Sequence, residues 1–257
     1  MKKDLRIGIL QMEIAWHKVE QNLANAEQLL LQIPDADLVV LPEMFATGFV
    51  IDKRQKADGD HSILNWMRQL AARHNAAVAG SVAVVDNGLR YNRLYLVSPD
   101  GEIQAYDKRH LFPGSPEPVF FQRGTRLPIF HYEGWKICPQ VCYDLRFPVW
   151  SRNQFTNGQF KYDILLNVAN WPAARAAAWN TLLQARALEN QCFVVACNCV
   201  GEDLLHTYYQ GDSSIILPDG TVMSTSGDGQ QQCVCGTLSY PDLQSLREKF
   251  PVANDWD

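Results

Sequence analysis

Three residues of different chemical type stand just past the ends of strand-like runs. Glu43 follows the run 36–41 (ADLVVL), Lys108 follows the run 102–107, and Cys142 follows the run 135–141. A thiol can attack a carbonyl carbon, a carboxylate can carry its proton, and an ammonium can balance the oxyanion that results. Ligand chemistry in α/β folds gathers where strands end, so three such ends can converge. Cys142 sits in Pro139-Gln140-Val141-Cys142-Tyr143-Asp144-Leu145-Arg146-Phe147-Pro148, which reads as a turn from strand to helix, with a proline suited to a helix start. Backbone N–H groups at a helix opening are unpaired and partly positive, so they favour a thiolate or a developing oxyanion there. Singly, each residue also has an ordinary meaning. A free cysteine is usually buried packing, a strand-end glutamate is usually solvated, and Lys108-Arg109-His110 reads as a basic surface step.

The elements that must position these residues follow from periodicity. Residues 5–12 read as a buried strand, 20–33 as a helix with Leu23, Ala26, Leu30 and Ile33 inward, and 36–41 as a second buried strand. Residues 63–74 carry a helical stripe. Runs 77–85 and 89–97 are strands joined by a hairpin at Asp86-Asn87-Gly88, and 102–107 is a further strand. The second half repeats the order: strand 135–141, short helix 147–153, strand 163–168, helix 173–190 with Ala177, Leu182, Ala185 and Leu188 inward, and strand 192–200. Strands at 209–217, 221–226 and 232–238 and a helical segment at 243–250 close the chain. Buried strands alternating with helices predict α/β, and the hairpins predict mixed sheets. Two sheets, each covered by helices on one face, give a four-layer α-β-β-α sandwich formed by residues 1–257 as a single domain.

Composition narrows the function. The chain has 257 residues, 47% of them hydrophobic and 20% charged, with a net charge of −5. No dense basic run offers itself to nucleic acid. The opening Met1-Lys2-Lys3-Asp4 leads into an apolar run too short for a signal peptide or a membrane span. Seven cysteines, an odd number without a secretory signal, are expected as reduced thiols in a cytoplasm. Cys197-x-Cys199 and Cys233-x-Cys235 have no Gly-rich knuckle and lie inside strand-like runs, so they read as structural rather than as a zinc site. Asp58-x-Asp60 is no calcium loop, because Ile63 and Gln69 stand where glycine and glutamate are required. G-x-S-x-G, P-loop and dinucleotide patterns are absent.

Leu41-Pro42-Glu43, Asp107-Lys108-Arg109-His110-Leu111-Phe112 and Val141-Cys142-Tyr143-Asp144-Leu145-Arg146-Phe147-Pro148 resemble the Glu, Lys and Cys blocks of the nitrilase superfamily. Val168-Ala169-Asn170-Trp171-Pro172 and Ala185-Arg186-Ala187-Leu188-Glu189-Asn190 resemble two further blocks, in the family's order. The resemblance implies an α-β-β-α sandwich and a carbon–nitrogen hydrolase that works through a thioester, without a cofactor and as a homodimer. The wording around Phe147 and Trp171 is most similar to bacterial omega-amidases, which hydrolyse the side amide of 2-oxoglutaramate and 2-oxosuccinamate.

The implied roles are concrete. Glu43 takes the proton of Cys142, Lys108 and the backbone N–H of Tyr143 hold the oxyanion, and Glu43 then serves ammonia and water. Glu117 matches the family's additional carboxylate, which orients substrate and lysine; an exposed glutamate in the Pro113–Pro118 loop is the other reading. Arg146 either pairs a substrate carboxylate or makes a structural ion pair. Asn170 and Trp171 are expected to line the pocket; Phe45 and Tyr143 line it or belong to the core. An aliphatic amidase, an N-carbamoyl amino acid hydrolase or a nitrilase would use the same three residues. A scaffold that keeps the fold without catalysis is the alternative of another class. One departure bears on substrate identity: Asn198-Cys199-Val200-Gly201-Glu202-Asp203 stands where relatives carry an arginine and a longer loop.

Overall fold

The computed structural model describes residues 3–49, 57–227 and 229–256, so the outermost residues of the expected domain, 1, 2 and 257, lie outside the described residues. The chain runs β1 (Leu5–Gln11), α1 (Val19–Leu30), β2 (Leu38–Val40), α2 (Ser62–His74), β3 (Ala77–Asp86), β4 (Leu89–Val97), β5 (Ile103–Asp107), the one-turn helix α3 (Glu117–Phe120), β6 (Phe130–Tyr132) and β7 (Trp135–Val141). A 3-10 turn (Cys142–Arg146) and the short α4 (Pro148–Ser151) follow. The remainder is β8 (Phe155–Thr156), β9 (Gln159–Phe160), β10 (Ile164–Ala169), α5 (Ala176–Asn190), β11 (Phe193–Asn198), β12 (Val200–Glu202), β13 (Tyr208–Gln210), β14 (Ser214–Ile216), β15 (Val222–Thr225), β16 (Gln232–Leu238) and α6 (Tyr240–Lys249).

Two six-stranded sheets result, ordered β16-β1-β2-β3-β4-β5 and β15-β14-β11-β10-β7-β6. In each, the parallel centre is flanked by antiparallel strands. Parallel strands need long return connections, and α1, α2 and α5 supply them. Strands covered on both faces lose the alternation of a half-buried strand, which is why β2 and β10 are buried throughout and apolar except for Asn167. The β3–β4 hairpin turns at Asn87 and Gly88 with positive φ at both, the geometry that Asn-Gly favours. Ile7, Ile9, Val40 and Leu94 of one sheet pack with Ile137, Leu166 and Val195 of the other in one core. Leu29, Met67 and Leu70 of α1 and α2 close the outer face of the first sheet over Val39 and Val78. Trp179, Leu183 and Ala187 of α5 cover the second. This is the expected α-β-β-α sandwich, and each such buried aliphatic side chain contributes about 1.5–3 kcal/mol.

Three details differ from the periodicity. The last strand leaves its own half: β16 pairs antiparallel with β1, Leu5 opposite Leu238 and Gln11 opposite Gln232. The run 209–217 breaks into β13 and β14, and only β14 enters the large sheet. Helix α5 is rotated from the expected face: Trp179, Leu183, Arg186, Ala187 and Asn190 are buried, whereas Leu188 is exposed. Two polar side chains turn inward because they find partners there. Arg186 donates to the Leu145 carbonyl at 2.6 Å, and Asn190 accepts from the Asn153 N–H at 2.8 Å. Asp58 caps α2, its carboxylate accepting the N–H groups of Ile63 and Leu64 at 3.1 Å each. No helix among the described residues is long and apolar enough to cross a membrane.

Candidate active site

Cys142 is the first residue after β7, and its φ of 48° lies in the left-handed region that a non-glycine residue enters at a cost. The Asp144 carboxylate holds this bend. Its Oδ2 accepts the Val141 N–H at 3.1 Å and the Tyr106 hydroxyl at 2.8 Å; its Oδ1 accepts the His110 N–H at 2.9 Å and lies 2.8 Å from His110 Nδ1. The turn that carries Cys142 and the segment carrying Lys108 are thus tied to one buried carboxylate. Arg186 anchors the far end of the turn through Leu145.

Glu43 follows β2, Lys108 follows β5, and Glu117 opens α3; all three are fully buried. Lys108 Nζ lies 2.8 Å from Glu43 Oε1 and 3.1 and 3.0 Å from the two oxygens of Glu117. Glu117 is therefore no exposed loop residue. The Pro/Gly-rich segment folds it inward, and its Oε2 accepts the Phe112 N–H at 2.7 Å. Asn92, mid-strand in β4, donates through Nδ2 to Glu43 Oε1 at 2.7 Å and to Glu117 Oε1 at 3.1 Å. The Asn170 N–H donates to Glu43 Oε2 at 2.9 Å, and its side-chain Nδ2 donates to the Glu43 carbonyl at 2.7 Å.

These contacts set the protonation states. Burial alone would pull Lys108 down, but Glu117 and Glu43 more than reverse it and the ammonium is held above its ordinary range. Burial pushes Glu117 up; Lys108 opposes that and Glu43 adds to it. The Cys142 thiol is pushed well above its ordinary value, first by burial and then by the charge of the Glu43 carboxylate. The helix-opening effect expected to favour a thiolate is outweighed by burial. The resting thiol keeps its proton, and Glu43 beside it is placed as a candidate to receive that proton. Glu43 Oε1 already serves Asn92 and Lys108, so Oε2 is the freer oxygen to receive it.

Cys142 lies on the wall of a cavity of about 700 Å³, lined also by Phe49, Tyr143, Arg146, Asn170, Trp171 and Arg175. Four of the five expected substrate contacts are there. Arg146 lies over the Trp171 ring at 4.8 Å and has no carboxylate partner among the described residues, so the structural ion pair is not formed. Phe45 does not line the cavity. It is fully buried against Trp66 in the layer between the first sheet and its helices, because the turn after Glu43 points it into the core. Phe49, four residues on, faces Lys108 instead, its ring 5.1 Å from Nζ. Sequence does not single out Phe49, Asn92, Asp144 or Arg175; Asn92 in particular is a polar residue in a half-buried strand, and nothing in its neighbours marks the position as buried. The altered segment 198–203 puts buried Cys199 behind Glu43, and Asp203 closes the loop by accepting the N–H groups of Leu205 and Thr207 at 2.8 and 2.9 Å. Among the described residues, no group of three or more His, Cys, Asp or Glu is arranged to hold a metal ion.

A two-sheet sandwich with a buried carboxylate, ammonium and thiol at adjoining strand ends defines a cysteine-dependent hydrolase of amide-type bonds. The chain belongs to the carbon–nitrogen hydrolase family, whose pattern, described as "Carbon-nitrogen hydrolase", matches residues 6–248. It is 44% identical over 253 residues to "Omega-amidase YafV" of Yersinia enterocolitica, covering 98% of this chain and 97% of the relative. It is 36% identical over 255 residues to "2-oxoglutaramate amidase" of Bacillus subtilis (strain 168), covering 97% and 96%. Among solved structures, XC1258 from Xanthomonas campestris, a CN-hydrolase superfamily protein with an arsenic adduct in its active site, superposes with a TM-score of 0.96 at 43% identity, covering 99% of this chain and 98% of that one.

Proposed function

We propose that the protein is an omega-amidase, hydrolysing the side amide of small omega-amido 2-oxo acids such as 2-oxoglutaramate and 2-oxosuccinamate to the dicarboxylate and ammonia. Cys142 attacks the amide carbonyl as its proton passes to Glu43, and Lys108 and the Tyr143 N–H hold the oxyanion. Collapse breaks the C–N bond, Glu43 returns the proton to the leaving nitrogen, and a thioester remains. Water, deprotonated by Glu43, then adds to the thioester, and the thiol leaves reprotonated. Glu117 keeps Lys108 in place. Arg146 receives the far carboxylate, with Asn170, Trp171 and Tyr143 around the chain of the substrate.

The observation that carries this reading is the cavity itself, with the Glu43–Lys108–Glu117 cluster behind Cys142 and, on the same wall, an arginine without a carboxylate partner among the described residues. The names of the relatives at 44% and 36% identity support the same substrate class. The enzyme acts as one folding unit and as a homodimer in the cytoplasm. The free thiols at all seven cysteines support the compartment, and the highly exposed Val149, beside the nucleophile's turn, supports a covered surface there. Ammonia release from 2-oxoglutaramate, a matched amide lacking the terminal carboxylate, an N-carbamoyl amino acid and a nitrile tests it. Equal turnover of the first two would leave a general aliphatic amidase, and preferred turnover of the nitrile would leave a nitrilase.

A further inference from the structure

Lys108 has three N–H bonds, and three carboxylate oxygens already occupy its reach: Glu43 Oε1 and both oxygens of Glu117. An oxyanion on the substrate can receive a Lys108 hydrogen bond only if one of these contacts loosens. The contact to Glu43 is the shorter, and Glu43 must keep its place to move protons. Glu117 is the partner that can yield, because Phe112 N–H and Asn92 Nδ2 also hold it. Asn92 reaches both carboxylates with one nitrogen, and its own carbonyl accepts the Lys108 backbone N–H at 2.9 Å. It touches every charged member of the cluster.

The orientation of this amide is fixed by chemistry. Turned over, Asn92 Oδ1 would face two carboxylate oxygens, acceptor against acceptors. As it stands, Oδ1 is buried without a hydrogen-bond partner among the described residues. An amide that leaves its oxygen unpaired at a fully buried position is retained for what its nitrogen does. We propose that Asn92 is a positioning residue that holds Glu43 and Glu117 side by side while Lys108 turns one N–H toward the oxyanion. This rests on the amidase reading of the same site.

Hydrogen bonds to an ionised carboxylate favour the ionised form, and the Asn92 amide opposes the burial-driven rise of Glu117, so removing Asn92 Nδ2 pushes that carboxyl further up and loosens its hold on Lys108. The groups facing the two carboxylates are Lys108 from the end of β5, Cys142 from the end of β7 and Cys199 beyond β11. None of them titrates as an acid in the range where the acid limb of a rate profile falls. The test compares wild type with Asn92→Ser, Asn92→Ala and the isosteric Asn92→Asp over pH 5–9.5. The two readouts are kcat/KM for ammonia release from 2-oxoglutaramate and the rate of Cys142 alkylation by iodoacetamide.

The acid limb of both profiles is expected to move up by about one pH unit in the Ser and Ala variants, and further in Asn92→Asp, which adds a third carboxylate. Rates on the alkaline plateau should recover most of the loss in Ser. Folded variants whose rates fall by one factor at every pH, with the limb unmoved, would make Asn92 a strut and overturn the proposal. It is equally overturned if none of the three variants folds, since the amide is then an anchor of the strand. Failure of the underlying reading is distinct: wild-type ammonia release would then survive Cys142→Ala, whatever Asn92 does.

Discussion

The Arg146→Gln substitution separates recognition from support. The guanidinium is half-buried on the cavity wall, stacked 4.8 Å from the Trp171 ring, with no carboxylate beside it among the described residues. Its structural tie is therefore the cation–π contact, worth about 0.5–1 kcal/mol at a partly exposed site. A charge-assisted bond to a substrate carboxylate is worth roughly 1.5–3 kcal/mol, or about ten- to a hundredfold in kcat/KM. Glutamine keeps the stem and some hydrogen bonding but removes the charge. The variant should lose about ten- to a hundredfold on 2-oxoglutaramate and stay near wild type on the matched neutral amide. Its melting temperature should fall by no more than about 2–4 °C. Steady-state ammonia release on both substrates, with a thermal melt of each protein, supplies the measurements. Equal losses on both substrates with a larger drop in melting temperature would show that Arg146 supports the wall rather than reading the substrate. Arg175, over the Phe112 ring at 5.2 Å on the same cavity, is the control, since preference retained in Arg146→Gln but erased in Arg175→Gln would move the contact there.

Replacing Cys142 with alanine is expected to abolish ammonia release and leave the circular dichroism spectrum intact; residual turnover would point to another nucleophile. Lys108→Met should lower turnover on the order of a hundred- to a thousandfold, as for loss of one oxyanion donor, and a near-normal rate would relegate Lys108 to packing. Burial raises the thiols of Cys142, Cys197 and Cys199 well above their usual value and that of Cys138 to about 12, so the folded protein keeps protons that the unfolded chain releases. Their contribution to stability is complete below the ordinary thiol pKa of about 8.5 and is lost at higher pH by about 1.4 kcal/mol per unit for each thiol. Urea midpoints from pH 7 to 10.5 should fall accordingly, and a flat profile would contradict the burial. Arg247 donates to Asp163 Oδ1 at 2.9 Å and to the carbonyls of Gln191 and Tyr162 at 3.0 Å, so Arg247→Met should destabilise by about 3–5 kcal/mol in urea melts.

The catalytic candidates could be read from sequence because each stands where a strand-like run stops, and the ends of such runs can be located from one-dimensional patterning. Glu43 and Lys108 meet Cys142 for that reason, as the sandwich brings strand ends of two sheets to one rim. What stayed hidden depended on partners remote in the chain. Asn92 lies inside a strand, where a polar residue ordinarily means a solvent-facing position, and only its burial reveals the bridge between two carboxylates. The face of α5 was misjudged because Arg186 and Asn190 turn inward to meet Leu145 and Asn153, contacts that no helical stripe encodes. Phe45 and Phe49 are one residue type four positions apart, and the bend after Glu43 alone decides which enters the core.

The pairing of β16 with β1 has a consequence for how the molecule is made. As the chain leaves the ribosome, β1 emerges among the first elements, yet its outer neighbour arrives after nearly everything else. Until then one edge of the first sheet stands open, with its backbone donors and acceptors free to pair with another nascent chain. Contacts between such distant segments close slowly. The sandwich therefore cannot be completed until β16 has emerged, and the rim that gathers the strand ends of both sheets matures only then. Growth conditions that slow synthesis or supply holdase chaperones should raise the soluble yield more than any change at the surface.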